Sequence, residues 1–428
     1  MLRLTSVGGL LGIIALAWLM SSHKRRFSPR IVLGGLCLQF GFALLILHTA
    51  WGRGTFQFIG DRISQLLQIT ESSGGIFLFE FFDHAGVDDK AALVKTFAFG
   101  VLPTIVFFSS LMSVFYYLGV MQLVISALAK IMQKTLGVSG AESLAAAANV
   151  FVGHTEAPLV IRPYVAGMTC SELNATMVGG FATITGSLLA VFGSMGIDVG
   201  HLLTASVISA PAALLIAKVM QPETEESQTL GSVKIQVEQR AVNLVDAAAV
   251  GAGDGMKLAL NVGAMLIAFL ALIALADALI GWAGTVWVWS GIRLGIYDAP
   301  FDPGWSLSAI LGYLFAPLAW LMGIEAADCR AAGQLLGTKM VVNEFVAYKQ
   351  MGDWNAADSP VQLTERSRVI LTYALSGFSN FGAIGIQIGG IGGIAPERRS
   401  DLARLGLRAM LGGTLACCMT ACIAGILL

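Results

Sequence analysis

The sequence has few charged side chains. They make up 12% of its 428 residues, whereas soluble domains carry roughly 25%. Only one long polar stretch is present, at residues 221–246, and the mean hydropathy is +0.76. This deficit of charge excludes a soluble globular protein and predicts an all-α membrane protein surrounded by lipid. The net charge of -1 gives no indication of a nucleic-acid partner.

Side chains that commonly hold transition metals are also scarce. The six cysteines lie almost wholly in apolar stretches and lack metal-ligand spacing, which is typical of small hydrophobic residues in helices. Only five histidines are present, and no second histidine or cysteine is near His154 in the sequence. A cysteine or histidine metal centre is therefore not expected.

The first apolar run, residues 7–20, has its basic cluster after it rather than before it, at Lys24-Arg25-Arg26. A cleavable signal peptide has its positive charge in front of the apolar run. We therefore expect an uncleaved first span, with its N-terminus outside and its basic flank in the cytoplasm.

Eight apolar runs are long enough to cross a bilayer. The predicted spans are 4–20, 31–50, 92–118, 173–195, 202–220, 256–282, 369–391 and 402–428. Residues 51–90 are amphipathic and predict interfacial helices. The Ser171 hydroxyl is expected to cap the fourth span. An even number of spans places both termini outside the cytoplasm, and the basic residues near 398–408 then fall on the cytoplasmic side.

Two more apolar stretches, 136–165 and 326–351, are interrupted by polar residues. The interruptions are Gly153-His154-Thr155-Glu156-Ala157-Pro158 and Asn343-Glu344. Each stretch predicts a re-entrant hairpin with a polar tip. Each hairpin precedes an interrupted span and then a plain span. The interruptions lie at 183–187 and 376–382, and an odd number of spans separates the two halves. This order predicts an inverted repeat, which is a signature of secondary transporters.

These elements divide the chain into four parts. Residues 1–135 hold the N-terminal spans, the interfacial helices and a scaffold span, and residues 136–220 form the first transport repeat. Residues 221–325 hold a cytoplasmic connection, a scaffold span and an interfacial segment, and residues 326–428 form the second transport repeat.

The strongest functional signals are Glu156 and Glu344, because a carboxylate in apolar sequence is rare and usually functional. A structural hydrogen bond or a snorkelling side chain is the alternative. Carboxylates accept hydrogen bonds and so suit a ligand rich in hydroxyl and N–H groups. Asn380 adds donor and acceptor capacity, and Phe378 suits either a ligand ring or core packing. His154 suits recognition of a polar substrate edge, proton coupling or a buried structural role.

Oxygen atoms that suit a hard monovalent cation come from Asn149, Thr183 and the carbonyls of nearby unwound backbone. Two other motifs do not fit their usual chemistry. Gly251-Ala252-Gly253-Asp254 and Tyr297-Asp298 resemble intramembrane aspartyl protease motifs but occur in the wrong order and place. The glycine run at 389–393 lacks the lysine and hydroxyl of a phosphate loop.

The chain resembles the concentrative nucleoside transporters of bacterial type through essentially its whole length. The resemblance is carried by Gly153-His154-Thr155-Glu156-Ala157-Pro158-Leu159, Asn343-Glu344-Phe345 and Ser376-Gly377-Phe378-Ser379-Asn380-Phe381. It implies a homotrimer with eight transmembrane helices and two re-entrant hairpins in each protomer. A scaffold part would form the trimer, and a transport part would move like an elevator.

The resemblance also implies roles for individual residues. His154, Thr155, Glu156 and Leu188 would face the nucleobase, and Glu344 and Asn380 would hold the ribose with Phe378 alongside. Na⁺ would be bound by the side chains of Asn149 and Thr183 and the carbonyls of Val152 and Ile184. The two acidic groups would converge on one ligand.

Two positions depart from the family pattern. The family commonly has glutamine where this chain has His154, and serine where it has Ala383. The first departure bears on base selectivity and cation choice. The second removes one contact to a ribose hydroxyl from the substrate-binding set, a net loss of about 0.5–1.5 kcal/mol.

The resemblance thus implies a transporter rather than an enzyme, located in the inner (plasma) membrane with both termini periplasmic. The expected activity is import of nucleosides, namely uridine and other pyrimidine nucleosides with adenosine as a further candidate, by symport with Na⁺. Proton-coupled symport and an uncoupled channel or facilitator are the alternatives.

Overall fold

The computed structural model describes residues 2–26, 28–63, 65–66, 102–154, 156–229, 241–294, 296–301, 304–354, 359 and 361–428. Throughout these ranges the regular structure is helical, which confirms the expected all-α class. Most of the predicted interfacial segment, Thr155 and Asp302 lie outside them.

Residues 50–63 are helical, and seventeen further α-helices have defined bounds among the described residues. They are α1 (Leu2–Leu19), α2 (Pro29–His48), α3 (Leu102–Tyr117), α4 (Val120–Leu136), α5 (Gly140–Asn149), α6 (Ala157–Val160), α7 (Arg162–Val165), α8 (Cys170–Ala182), α9 (Gly186–Ser194), α10 (Val199–Met220), α11 (Leu244–Arg293), α12 (Leu307–Leu321), α13 (Cys329–Val341), α14 (Glu344–Asp353), α15 (Glu365–Leu375), α16 (Phe381–Ile394) and α17 (Arg399–Leu427).

Six helical segments of the described chain are long and apolar enough to cross a membrane, with α8 and α9 counted together. The pair α3 and α4, bent by 76°, makes a seventh if it is one span. The stretch predicted as a span at 369–391 is divided between α15 and α16. The total of eight spans therefore stays a prediction.

The span predicted at 256–282 differs from the structure at both ends, because the helix begins at Leu244 and its apolar candidate span is Leu270–Arg293. Helix α11 continues past Trp282 to Arg293, because residues 283–292 are mostly apolar and contain no proline. In an apolar 18-residue stretch of this helix, only 11% is buried. In the corresponding stretch of α10, 94% is buried. The core therefore forms around α10, α8 and α17, and α11 presents an apolar surface to its surroundings.

The two halves share one order of helices and breaks. In the first half α5 is followed by a first tip (150–156), whose described residues are not helical, and α8 and α9 are separated by a first break (183–185). In the second half α13 and α14 meet at a second tip (342–344), and α15 and α16 are separated by a second break (376–380). An unbroken helix, α10 or α17, closes each half.

Helices α5 and α8 begin with the same local device. Ser139 and Thr169 each accept a hydrogen bond from the backbone N–H three residues later, and Glu142 and Glu172 each accept one from the N–H of the capping residue. Such capping boxes satisfy donors that a helix start leaves free. The expectation that Ser171 is the cap was wrong, because the box spacing selects Thr169.

Ser171 instead belongs to a buried ionic cluster at the end of α10. Lys218 lies 2.8 Å from Glu142 and 3.3 Å from Glu223, and its ammonium donates to the Ser171 hydroxyl at 2.9 Å. Ser171 donates in turn to the Gln221 carbonyl at 2.7 Å. The cluster therefore joins the starts of α5 and α8 to the end of α10 and the segment after it.

Candidate functional site

The second tip and the second break meet at two polar side chains. Glu344 is the first residue of α14 and is buried. The Asn380 amide nitrogen donates to the Glu344 carboxylate at 3.2 Å. The Asn380 amide oxygen accepts the backbone N–H of Ala383 at 2.8 Å and so caps α16. A carboxylate and a carboxamide held in this way can bind vicinal hydroxyl groups.

The first tip reaches the second break through two rings. The centroids of His154 and Phe378 lie 4.8 Å apart with the rings edge to face. Both ring nitrogens of His154 are shielded from solvent and, among the described residues, have no hydrogen-bond partner. The structure thus places His154 of the first tip against Phe378 of the second break, and within the described residues the imidazole nitrogens are not engaged by a protein group.

Glu156 has a different environment from Glu344. It is exposed in this chain, and its carboxylate accepts the backbone N–H of Gly153 at 3.4 Å within the turn of the first tip. Glu344 is buried against Asn380. The convergence of the two carboxylates on one ligand therefore stays a prediction, with Glu344 as the shielded member of the pair.

The first tip also lies against the first break. A Cβ on Gly153 would lie 2.8 Å from the methyl group of Thr185, so glycine permits the close approach. The Gly186 N–H donates to the Phe151 carbonyl at 2.9 Å. Leu188, expected to face a nucleobase, is buried in the first turn of α9, and Ala383 is buried in the first turn of α16.

The four expected cation ligands lie at this same junction. Asn149 ends α5 and is buried, and neither polar atom of its side chain has a hydrogen-bond partner in the described part of the chain. Its amide lies against Gly179, whose carbonyl accepts the Thr183 hydroxyl at 2.9 Å. Val152 and Ile184 are buried in the non-helical backbone of the first tip and first break.

The chemistry of these donors suits a hard monovalent cation. The side chains are neutral and offer oxygen, and no cluster of three or more histidine, cysteine, aspartate or glutamate residues that could hold a metal ion occurs among the described residues. The Asn149 carboxamide, which has no partner among the described residues, is the observation that fits a ligand. Leaving a buried polar group without a hydrogen bond costs about 1–3 kcal/mol of stability, and a bound ligand would remove that cost.

Sequence reasoning gave no role to two polar residues beside this site. Ser379 is buried in the second break, and its hydroxyl has no hydrogen-bond partner among the described residues. Gln387 is buried on α16, and its amide nitrogen donates to the Met177 carbonyl at 3.2 Å. The polar character of Gln387 within a run of glycine and isoleucine was the available signal.

Family models cover nearly the whole chain. Residues 8–82 match the N-terminus and residues 201–425 the C-terminus of the Na⁺-dependent nucleoside transporter family. Residues 98–198 match the Gate family model, whose description is nucleoside recognition.

Individual relatives agree with these models. The chain is 46% identical to an uncharacterized transporter of Haemophilus influenzae over 99% of this chain and 97% of that protein. It is 42% identical to the mouse sodium/nucleoside cotransporter 1 over 99% of this chain. The match covers 64% of the length of the mouse protein.

Solved structures give the same result. CNTnw in an inward-facing substrate-bound state matches with a TM-score of 0.87 at 41% identity, over 100% of this chain and 99% of that chain. A double variant of CNTnw in an outward-facing state matches with a TM-score of 0.86 at 41% identity, over 100% and 98%. These matches are transporters rather than enzymes. With its buried polar site between two broken helices, the chain belongs to the concentrative nucleoside transporter family.

Proposed function

We propose that this protein imports nucleosides across the inner membrane by symport with Na⁺. The observation that carries the proposal is the contact of Asn380 with the buried Glu344 carboxylate. Beside it, the Phe378 ring packs on His154, whose ring nitrogens have no hydrogen-bond partner among the described residues. One half of the chain thus supplies groups for a sugar, and the other half supplies a group for a base.

In this proposal Glu344 and Asn380 bind the ribose hydroxyls. The Glu344 carboxylate accepts from them and the Asn380 amide donates to them, while Phe378 packs along the sugar. His154, Thr155, Glu156 and Leu188 face the nucleobase. Since Glu156 is exposed in this chain, it contacts the base from the outer side of the first tip.

Na⁺ binds between the first tip and the first break. The ligands are the side-chain oxygens of Asn149 and Thr183 and the carbonyl oxygens of Val152 and Ile184. Since the Thr183 hydroxyl uses its hydrogen on Gly179, its lone pairs are available to a cation. The bound ion ties the tip to the break and holds His154 in place for the substrate, which gives the reciprocal coupling that symport needs.

The remaining architecture follows from the same assignment. The two tips belong to re-entrant hairpins that meet from opposite sides, and the transport part moves like an elevator against a scaffold. The scaffold includes α11, and its apolar surface suits both lipid and neighbouring copies in a homotrimer. Both termini are periplasmic.

The activity is tested by uptake of radiolabelled uridine into proteoliposomes with defined gradients. An inward Na⁺ gradient is expected to drive uridine to a concentration inside the vesicles that exceeds the concentration outside. The two comparison conditions replace Na⁺ with choline, or supply a proton gradient instead. Accumulation driven only by protons supports the proton-coupled alternative. Uridine flux that only equilibrates supports a channel or facilitator.

The binding role of Glu344 is tested with Glu344→Gln, which keeps the shape and removes the anionic acceptor. We expect loss of saturable uptake with a normal elution profile in detergent. Glu365→Gln at the start of α15 is the matched control, with uptake like that of the wild type. Uptake by Glu344→Gln at the wild-type level would refute the ribose assignment.

A further inference from the structure

Gln387 lies one helical turn beyond Ala383 on the buried stripe of α16, which also includes Ile391. Residues four apart share one face of a helix. The proposed ribose contact at Asn380, the buried Ala383 and the buried carboxamide of Gln387 therefore lie on one side of the start of α16. Gln387 is 1% exposed, so its polar atoms must be accounted for inside the protein.

Only one of these polar atoms has a partner. The nitrogen donates to the Met177 carbonyl at 3.2 Å on α8, and this bond assigns the orientation of the carboxamide. The oxygen is buried and has no hydrogen-bond partner in the described part of the chain. A purely structural role accounts for the nitrogen and leaves the acceptor oxygen unused, although most buried polar atoms in proteins are paired.

Gly180 brings this carboxamide next to His154. A Cβ on Gly180 would lie 2.7 Å from the Cβ of His154 and 2.8 Å from the Gln387 amide nitrogen. Both side chains therefore pack against the backbone of Gly180. The His154 Cβ and the Gln387 amide nitrogen are therefore less than about 6 Å apart. Both ring nitrogens of His154 are also unpaired within the described structure.

We propose that Gln387 is a positioning residue that fixes the tautomer of His154, an assignment that rests on the proposed nucleoside transport. Its carboxamide oxygen accepts the N–H of the neutral imidazole, after a rotation of the ring or through one bridging water. Neutral imidazole has one donor and one acceptor nitrogen. When the donor is bound to Gln387, the other nitrogen presents a lone pair to the nucleobase.

The consequence is a preference among bases. A lone pair on His154 accepts a hydrogen bond from an exocyclic amino group and repels a carbonyl oxygen at the same place. Cytidine and adenosine are therefore favoured over uridine and inosine, which carry a keto oxygen in place of the amino group. Loss of the Gln387 acceptor frees the imidazole to adopt either tautomer and reduces this discrimination.

Two substitutions isolate the acceptor oxygen. Gln387→Met and Gln387→Glu both remove the donor to Met177, but only Gln387→Glu keeps an oxygen that accepts. The readout is the ratio of kcat/KM for cytidine to that for uridine, and for adenosine to inosine, in proteoliposomes. We expect about a three- to tenfold fall in both ratios for Gln387→Met and ratios near those of the wild type for Gln387→Glu.

A third comparison ties the effect to His154. In a His154→Ala background, Gln387→Met is expected to leave the ratios unchanged, because the imidazole that Gln387 orients is absent. Ratios that are unaffected by Gln387→Met, equally reduced in Gln387→Glu, or altered as much in the His154→Ala background would overturn the proposal. Wild-type protein that transports no nucleoside would instead reject the proposed function itself.

Discussion

A single carboxamide at Asn380 performs two tasks. Its oxygen caps α16 through the Ala383 N–H, and its nitrogen contacts the Glu344 carboxylate. The capping bond fixes the direction of the side chain, so the contact to Glu344 is set before any ligand binds. Groups oriented in this way bind with a smaller loss of conformational entropy than free side chains do.

Ala383 offers a direct test of the ribose site. Ala383→Ser adds a hydroxyl at the buried first turn of α16 and is expected to lower the KM for uridine about two- to tenfold through one added hydrogen bond of about 0.5–1.5 kcal/mol. The gain should disappear for either 2′-deoxyuridine or 3′-deoxyuridine, whichever lacks the contacted hydroxyl. Ala383→Val adds bulk without a hydroxyl and should give no gain. Equal gains with both deoxy analogues would contradict the assignment.

Asn149 offers a test of the cation site that does not depend on transport. Na⁺ that binds the folded protein raises its melting temperature, with a stabilisation of about 2.7 kcal/mol at 100 times Kd. Asn149→Ala is expected to abolish this rise, measured in detergent with choline at equal ionic strength. Asn174→Ala, which removes another buried amide on α8, should retain the rise. A Na⁺ response in Asn149→Ala like that of the wild type would reject the site.

At the scale of elements, the capping boxes of α5 and α8 also hold distant segments. The Glu172 carboxylate accepts hydrogen bonds from Ser227 at 2.6 Å and Thr229 at 2.5 Å, and Glu142 forms the ion pair with Lys218. Each glutamate therefore stabilises its own helix start and also the end of α10 or the segment after it. The buried ionic cluster therefore connects the starts of α5 and α8 with the end of α10.

Lys218→Met tests this cluster. It leaves the buried Glu142 carboxylate without its ammonium partner, and breaking a buried pair in this way costs about 3–5 kcal/mol. We expect a clear fall in the melting temperature in detergent. Lys257→Met removes an exposed partner of Asp254 at 3.5 Å and should change stability little, because exposed pairs contribute about 0–1 kcal/mol. Equal effects of the two substitutions would show that the buried cluster carries no special weight.

At the scale of the whole molecule, basic residues mark one end. Arg26 donates to the Glu223 carbonyl at 3.3 Å, and Arg408 donates to the Gln221 side chain at 2.7 Å. The basic flanks of α1 and α17 therefore meet at the segment after α10. At the opposite end of these two helices, Arg3 donates to the Leu428 carbonyl at 2.6 Å. The positive-inside bias predicts that the end with the basic flanks is cytoplasmic.

Reporter fusions test this orientation. Alkaline phosphatase after Leu428 is expected to be active, and green fluorescent protein at the same position is expected to be dark, because the proposed topology places that end in the periplasm. Green fluorescent protein inserted after Glu225 is the control, with fluorescence expected. The reverse pattern would contradict the topology.

The sequence alone determined the features that depend on local chemistry. The low charge predicted a membrane protein, and glycine, proline, asparagine and threonine within apolar runs predicted the interruptions near 153, 183, 343 and 380. These interruptions were confirmed because capping side chains and helix-breaking residues act within a few positions. The end of α11 was placed wrongly, since an apolar helix can continue where no breaker stops it.

Only the tertiary structure decided which polar groups meet. The contacts of Glu344 with Asn380, of His154 with Phe378, and of His154 and Gln387 with Gly180 join residues far apart in sequence. The same packing buried Glu344 and left Glu156 exposed, although the two carboxylates look alike in the sequence. Local pattern specifies where a helix breaks, whereas long-range packing sets what the broken ends face.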